Sequence, residues 1–158
     1  MFRKMRRFKQ QITNEECIAV LKTETRGVLS MLGDDGYPYC IPMNHWYCEA
    51  DGKLYFHGAK EGHKIDAIKK CSKVCYTVFD KGYRKDGEWA LNVKSVVVFG
   101  KIALVTDEAK SKEICTALCR KFTDDEIYIS KELNNSLSRV QCLELTPEHM
   151  TGKLVDES

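Results

Sequence analysis

Residues 54–70 read LYFHGAKEGHKIDAIKK, and they pass from a strand through a glycine-punctuated turn into a helix. Three basic side chains, Lys60, His63 and Lys64, cluster around the first turn of that helix. The N-terminal end of a helix carries partial positive charge, so cations there are unfavourable unless an anion lies nearby. The sequence therefore raises the question of which anion this corner holds.

Two glycines flank the link that leads into the helix. Neither Gly58 nor Gly62 has a side chain, so the backbone N–H groups around them can come close to a ligand. Exposed N–H groups at a helix start bind phosphate, and a phosphate dianion would make the nearby cations favourable. The alternative interpretation is a solvated loop, because lysine is common on protein surfaces. The spacing alone leaves both open.

Outward from this corner, short apolar runs separated by tight turns predict six strands. The runs cover residues 26–32, 37–47, 53–57, 72–79, 93–105 and 139–146. Aspartate–glycine pairs between the first three runs are typical of tight turns between antiparallel strands. Strand–helix–strand units do not alternate along the chain. The pattern therefore predicts a mainly β (α+β) fold, with an antiparallel sheet curled into a small barrel and short helices packed outside.

Two strands carry residues that constrain their position in this sheet. Pro38 and Pro42 cannot donate to a sheet ladder, so the second strand is expected at an edge or with a bulge. In the longest strand, residues 96–99 are apolar without interruption, which predicts burial on both faces. Gly100 follows them and indicates a bulge or a close approach by another segment.

Helices are predicted where capping residues precede an apolar pattern. Thr13 and Glu16 form a capping box that begins a short first helix. A second helix covers residues 63–70, and a third, capped by Thr106 or Asp107, covers residues 108–122. After the sixth strand, the chain is expected to end in an irregular segment.

Length and composition indicate one globular domain. The 158 residues are enough to bury a core, and they divide into a basic arm (1–12), the domain (13–153) and a tail (154–158). The net charge of +2 gives no reason to expect nucleic acid, and no apolar run approaches the roughly 20 residues that span a bilayer. The arm is expected to be solvated or to fold over the domain; a membrane or nucleic-acid tether is the alternative.

The eight cysteines show no zinc-like spacing. No secretory signal is present, so we expect a cytoplasmic protein whose thiols stay reduced and mostly buried, with a metal site or a redox pair as alternatives. The fingerprints of dinucleotide-binding folds, of P-loops and of serine hydrolases are absent from the sequence. Nothing in it indicates hydrolytic covalent catalysis.

Four segments carry a family resemblance when taken in order. They are DDGYPYCIPMN at 34–44, LYFHGAKEGHKIDAIKK at 54–70, SVVVFG at 95–100 and MTGK at 150–153. Together they resemble the flavin-binding split-barrel superfamily related to pyridoxamine 5′-phosphate oxidase, and they look most like its 5-nitroimidazole-resistance-type branch. The resemblance implies a six-stranded antiparallel split barrel, a homodimer and FMN bound at the dimer interface.

The resemblance also implies which residues surround FMN. The phosphate would be held by Lys60, His63 and Lys64. The ribityl chain and the ring would be lined from three further segments of the chain, namely by His57, Gly58 and Ala59, by Ser95 and Val96, and by Pro42, Met43 and Asn44. No metal site is implied. His57 is the candidate catalytic residue, for proton supply or substrate contact near the ring.

The implied function is an FMN-dependent oxidoreductase. Electrons would come from a reduced nicotinamide or another donor and pass to a small-molecule acceptor, with nitroaromatic compounds among the candidates. The alternatives are a flavin-binding protein without turnover, for storage or sensing, and a tetrapyrrole binder with His45, His57 or His149 as axial ligand. Neither nucleic acid nor a membrane is expected as a partner.

Two segments depart from the family pattern. The chain ends in EHMTGKLVDES without the substrate-holding segment of pyridoxamine phosphate oxidase, so that activity is not expected. The loop at residues 80–92 differs from the corresponding stretch of nitroimidazole-resistance proteins. Because this loop is expected to border the open face of the flavin, the sequence does not identify the substrate.

Overall fold

A computed structural model describes residues 1–157 and shows a mainly β fold with seven strands and four α-helices. The helices are α1 (Asn14–Thr23), α2 (His63–Lys70), α3 (Glu108–Arg120) and α4 (Glu126–Ser136). The strands are β1 (Arg26–Leu32), β2 (Pro38–Asn44), β3 (Trp46–Cys48), β4 (Lys53–Ala59), β5 (Lys73–Phe79), β6 (Leu91–Leu104) and β7 (Val140–Glu157).

All strands belong to one antiparallel sheet, in the order β2-β1-β5-β6-β7-β4-β3. The sheet curls until β2 contacts β4, which gives a half-barrel. The predicted antiparallel, barrel-like fold is confirmed, but there are seven strands where six were predicted. The second predicted strand breaks at His45, because the His45 N–H donates to the Thr25 carbonyl 3.1 Å away and the ring turns into the interior.

The last strand is much longer than predicted. Instead of ending near residue 146, β7 continues to Glu157 and pairs with β6 from Leu104 opposite Leu143 to Leu91 opposite Glu157. The predicted irregular ending is therefore wrong. Helix α4 was not predicted either, since Ile129 is the one residue that it buries and its apolar periodicity is weak.

Several local predictions are confirmed. Thr13 and Glu16 form the capping box, with the Glu16 N–H donating to Thr13 Oγ1 across 3.2 Å. Strand β2, which begins at Pro38 and contains Pro42, lies at an edge of the sheet. The register of β6 and β7 shifts at Gly100, where an added Cβ would collide with the Thr146 carbonyl oxygen.

The predicted burial of β6 on both faces is wrong. Val96 and Val98 are fully buried, whereas Val97 is only partly buried and Phe99 is 38% exposed. Alternate residues of a strand point to opposite faces, so the inner face fills the core and the outer face is open in the single chain. We call this surface the outer face of β5 and β6.

Two apolar clusters fill the space around the sheet. The larger lies inside the half-barrel, where α1 and α2 close it, and the smaller lies between α3 and the outer side of β4 and β7. The N-terminal segment lies against the sheet, since the Phe2 ring stacks on His149 at 4.8 Å and the Ile12 N–H donates to the Gly152 carbonyl.

All eight cysteines are free, and four of them are buried: Cys17, Cys48, Cys115 and Cys142. The Cys115 and Cys142 Sγ atoms are 3.7 Å apart in the smaller cluster. Within residues 1–157 no group of His, Cys, Asp and Glu side chains is arranged to hold a metal ion. No helix in the same range is long and apolar enough to cross a membrane.

Candidate flavin-binding site

The link between β4 and α2 forms the centre of the candidate site. Gly62 stands at the N-cap of α2 with φ of 126°, a backbone conformation that L residues rarely adopt, and no side chain caps the first turn. The N–H groups at the start of α2 therefore keep their hydrogen-bonding capacity for a ligand. This is the local geometry that the glycine spacing predicted.

Lys64 is the basic side chain held over this link. It is partly buried, and its Nζ donates to the Met43 Sδ atom 3.6 Å away, a weak acceptor. Among the described residues no carboxylate lies within 4.0 Å of it. Burial lowers the pKa of the Lys64 ammonium. A partly desolvated cation without a counter-charge is unfavourable by itself, so the arrangement fits a bound anion.

Gly58 makes room for the Lys64 side chain. A Cβ added at Gly58 would collide with Lys64 Nζ, and its other contact would be Lys64 Cε at 3.4 Å. The absence of a side chain at Gly58 thus lets the ammonium lie across the end of β4. We call Gly58 and Lys64 the cradle, because a phosphate placed here would meet one ammonium beside the uncapped start of α2.

His57 precedes this cradle on β4 and is exposed. The surrounding strands partly desolvate its ring, and this, followed by the positive charge of Lys64, lowers the pKa of His57. Both causes favour the neutral imidazole, which has one N–H donor and one acceptor nitrogen. Ala59 ends the strand and is exposed.

The other two basic residues predicted to hold the phosphate point elsewhere. The His63 ring stacks on Tyr39 with 4.0 Å between centroids, and its Nε2 lies 3.7 Å from Asp34 Oδ2. Lys60 is exposed and lines a groove beside α3 and α4. Of the three, Lys64 is the one that lies over Gly58.

The segment from β2 reaches the cradle through one side chain. Met43 is 8% exposed and contacts Lys64 through sulfur, while its carbonyl accepts a hydrogen bond of 2.9 Å from the Tyr76 hydroxyl. Pro42 is exposed and Asn44 is partly buried. Because the Met43 carbonyl faces the Tyr76 hydroxyl, the side chain of Met43 is the part of this residue that shapes the site.

Ser95 and Val96 lie across the sheet from the cradle. Met43 pairs with Gly27 on β1, Gly27 lies against Val78 on β5, and Val78 pairs with Val96 on β6. Three strand spacings of about 4.8 Å therefore separate Met43 from Val96, about 14 Å in all. The Val96 side chain is fully buried, so only its backbone could face a ligand.

Sequence reasoning missed a buried polar network behind the cradle. His45 is fully buried; its Nε2 donates to the Leu21 carbonyl, and its Nδ1 shares the Tyr76 hydroxyl with the Met43 carbonyl, both His45 contacts being 2.7 Å long. Burial, followed by the charge of Lys121, lowers the pKa of His45 to about 4. With both ring nitrogens engaged, His45 is not available as an axial ligand. No local motif marks this network, because its members come from distant segments.

Three solved structures with flavin-related or resistance-related names share this fold. A Bacteroides thetaiotaomicron protein provisionally assigned to 5-nitroimidazole antibiotic resistance aligns with a TM-score of 0.78 and 21% identity, over 92% of this chain and 87% of that one. The FAD and heme binding protein of Mycobacterium smegmatis aligns with a TM-score of 0.72 and 21% identity, over 94% of this chain and 74% of that one. A FAD-binding protein of Mesorhizobium loti aligns with a TM-score of 0.65 and 23% identity, over 92% of this chain and 97% of that one. At these identities the likeness establishes the fold.

A family model described as pyridoxamine 5′-phosphate oxidase matches residues 13–154. The chain therefore belongs to this family, and the resemblance read from its sequence is confirmed. A comparison with curated proteins finds no match.

Proposed function

We propose that the protein is a flavin-dependent oxidoreductase that binds FMN with its phosphate in the cradle of Gly58 and Lys64. The observation that carries the proposal is the Lys64 ammonium, partly buried and without a carboxylate within 4.0 Å among the described residues. FMN carries a single terminal phosphate, which suits one anion site in a chain without a dinucleotide fingerprint. The flavin names of several solved relatives support the choice of ligand class.

The chain's own contribution is to bind and orient the cofactor. When bound, the flavin supplies the electron transfer, so no protein nucleophile is required. Lys64 holds the phosphate, and Met43 shapes the apolar side of the cradle. His57 is placed to donate a hydrogen bond through its N–H or to accept a proton on its other ring nitrogen, since its lowered pKa favours the neutral form.

The donor and acceptor are proposed by class. A reduced nicotinamide or another small donor would supply electrons, and a small oxidised molecule such as a nitroaromatic would receive them. Residues 80–90 lie between β5 and β6 and expose Tyr83 at 47% and Trp89 at 74%, which gives flat apolar surface for planar molecules. We place this activity in the cytoplasm. A flavin-binding protein without turnover remains the alternative, and steady-state oxidation of NADH or NADPH with nitrofurazone distinguishes the two.

A homodimer would complete the site. The outer sheet face exposes apolar side chains, with Leu32 58% exposed and Phe79 62% exposed, and Phe79 pairs with Ser95 in register. Ser95 lies beside Phe79 at this face, about three strand spacings from Met43, so a second copy on the face would cover that end of the site. A two-fold axis, the commonest symmetry among oligomers, would bury this face on both copies at once.

The dimer can be tested with a charge on the outer face. Phe79→Asp should convert the protein from twice to once the 18.1 kDa of one chain, because a buried unpaired carboxylate is strongly unfavourable at an apolar interface. It should also weaken FMN binding. Phe122→Asp is the matched control, since Phe122 is 58% exposed after α3, away from this face. Light scattering that reports a monomer with flavin bound in the unmodified protein would contradict the proposal.

The cofactor proposal predicts a coloured protein. After purification, or after incubation with FMN and removal of the excess, the protein should show the absorption bands of oxidised flavin and quench FMN fluorescence. Chromatography of the heat-released ligand then identifies it. A colourless protein that leaves the fluorescence of added FMN and FAD unchanged would rule out flavin binding.

A further inference from the structure

Two buried thiols face each other in the smaller apolar cluster, and nothing in the flavin site uses them. Cys115 lies on α3 and is 9% exposed, and Cys142 lies on β7 and is 1% exposed. Their Sγ atoms are 3.7 Å apart, although the two residues are 27 positions apart in the sequence. Among the residues that the structure describes, no other hydrogen bond joins two thiols. The tertiary fold therefore brings one pair of thiols into contact.

The hydrogen bonds around the pair distinguish its two members. Cys142 Sγ donates to the Ser111 carbonyl 3.7 Å away, which leaves its sulfur to accept from the Cys115 S–H. The bond from Cys115 lowers the pKa of Cys142, whereas the same bond, followed by burial, raises the pKa of Cys115. The thiolate is the nucleophilic form of cysteine. Cys142 is thus the member suited to attack an oxidant, and Cys115 is placed to attack second.

The groove that Lys60 lines gives small molecules a path towards the pair. It has a volume of about 630 Å³, and both Ser111 and Gln141 belong to its lining. Ser111 accepts the hydrogen bond from Cys142, and Gln141 precedes Cys142 on β7. Four further residues line the groove and also pack against the cluster that contains both thiols: Val105, Leu133, Leu137 and Val140. The groove is many times larger than a water molecule, so hydrogen peroxide can enter it, and the thiols lie directly beneath its lining.

The two sulfurs need little movement to form a disulfide. The S–S distance in a disulfide is about 2.05 Å, so each sulfur would move by less than about 1 Å from its present position. The bond would join α3 to β7, the two elements that precede and follow α4. Helix α4 itself buries only Ile129. A cross-link across this weakly anchored segment would restrict the unfolded chain and stabilise the fold.

We propose that Cys115 and Cys142 form a redox-active thiol pair, which hydrogen peroxide oxidises to an intramolecular disulfide and small dithiols reduce again. First the Cys142 sulfur bonds to one peroxide oxygen, the O–O bond breaks, and the departing hydroxide takes up the thiol proton and leaves as water. Then the Cys115 sulfur attacks the resulting sulfenic acid. The S–S bond forms, the S–O bond breaks, and a second water leaves with the Cys115 proton. One peroxide and two thiols thus give one disulfide and two waters.

Treatment of the full-length protein with one molar equivalent of hydrogen peroxide, followed by denaturation and alkylation, tests this assignment. The number of thiols that can be alkylated should fall by two from eight without a covalent dimer, and dithiothreitol should restore all eight. The tryptic peptides 113–120 and 140–153 should be found joined by a disulfide. Oxidation should raise the melting temperature by about 5–10 °C, because the disulfide restricts the unfolded chain.

Three variants assign the roles of the two thiols. Cys142→Ala should abolish the disulfide, and Cys115→Ala should stop the reaction at the sulfenic acid of Cys142, which dimedone traps. Neither variant should gain melting temperature on oxidation. Cys119→Ala is the matched control, because Cys119 lies one turn after Cys115 on α3 and in the same tryptic peptide. It should still lose two thiols and gain stability. Melting temperatures before oxidation verify that each variant is folded.

The contrary outcomes are equally distinct. If Cys115 and Cys142 both remain open to alkylation after peroxide treatment, and only other thiols such as the exposed Cys40 react, the pair is a packing contact without redox chemistry. The proposal also fails if Cys119→Ala abolishes the disulfide, or if dimedone labels no Cys142 in Cys115→Ala. Flavin takes no part in this reaction, so these outcomes leave the proposed function unchanged.

Discussion

Replacing Lys64 with alanine is expected to weaken FMN binding about ten- to hundredfold and to leave riboflavin binding within about twofold of its original value. Riboflavin lacks the phosphate, so the comparison isolates the contact with the anion. Hydrogen bonds to charged groups contribute about 1.5–3 kcal/mol each, and this range gives the expected loss. Isothermal titration or fluorescence quenching with both ligands measures it.

The same substitution should not destabilise the protein without ligand. Lys64 stands at the beginning of α2, where its charge opposes the helix dipole, and burial lowers its pKa. Without a bound anion the charge is unfavourable, so the melting temperature of Lys64→Ala should be unchanged or slightly higher. Lys69→Ala, on the exposed side of the same helix, serves as the control for binding. Equal losses for FMN and riboflavin would mean that Lys64 acts through folding and that the anion lies elsewhere.

Acidification from pH 7 to pH 4 is expected to remove about 3 kcal/mol of stability through His45 alone. The ring is fully buried, and burial, followed by the charge of Lys121, lowers its pKa from 6.5 to about 4. Below pH 6.5 the unfolded chain therefore binds a proton that the folded protein does not bind. The free energy of unfolding falls across the window from 6.5 to about 4 and does not change through this group above it.

The variant His45→Gln isolates this contribution. Glutamine can still donate to the Leu21 carbonyl and accept from the Tyr76 hydroxyl, but it does not titrate. Urea unfolding at a series of pH values should show the wild type losing up to about 1.4 kcal/mol per pH unit relative to the variant within the window. Above pH 7 the difference between the two proteins should be constant. Parallel pH profiles throughout would show that folding does not shift the pKa of His45, as for a solvated ring, and would contradict this prediction.

Local sequence patterns were sufficient for features that depend on near neighbours. The capping box of Thr13 and Glu16, the edge position of the proline-bearing β2 and the bulge at Gly100 each follow from the chemistry of a few adjacent residues. The helix beginning at His63 was predicted for the same reason. The family resemblance added the fold and the ligand class, which short-range patterns could not supply.

Other features depend on partners distant in the sequence, and these were missed or predicted wrongly. The predicted burial of β6 on both faces failed at Phe99, because apolar composition does not reveal that its outer face has no cover in the single chain. The extent of β7 beyond residue 146 follows from its pairing with β6, and the pattern of its polar ending gave no sign of it. Helix α4 buries too little to produce a recognisable apolar stripe.

The candidate site likewise combines features that the local sequence determines with features that only the tertiary structure determines. The sequence by itself determined that basic residues meet a glycine-flanked helix start, since all of them lie within a few positions of Gly58. Only the tertiary structure decided that Lys64 turns over Gly58, that His63 turns to Tyr39 and that Lys60 turns to the groove. Each side chain can rotate towards several neighbours, and the surfaces that it meets are formed by strands and helices distant in the chain. Strand register likewise places Val96 three strands away from Met43, and no local pattern encodes that register.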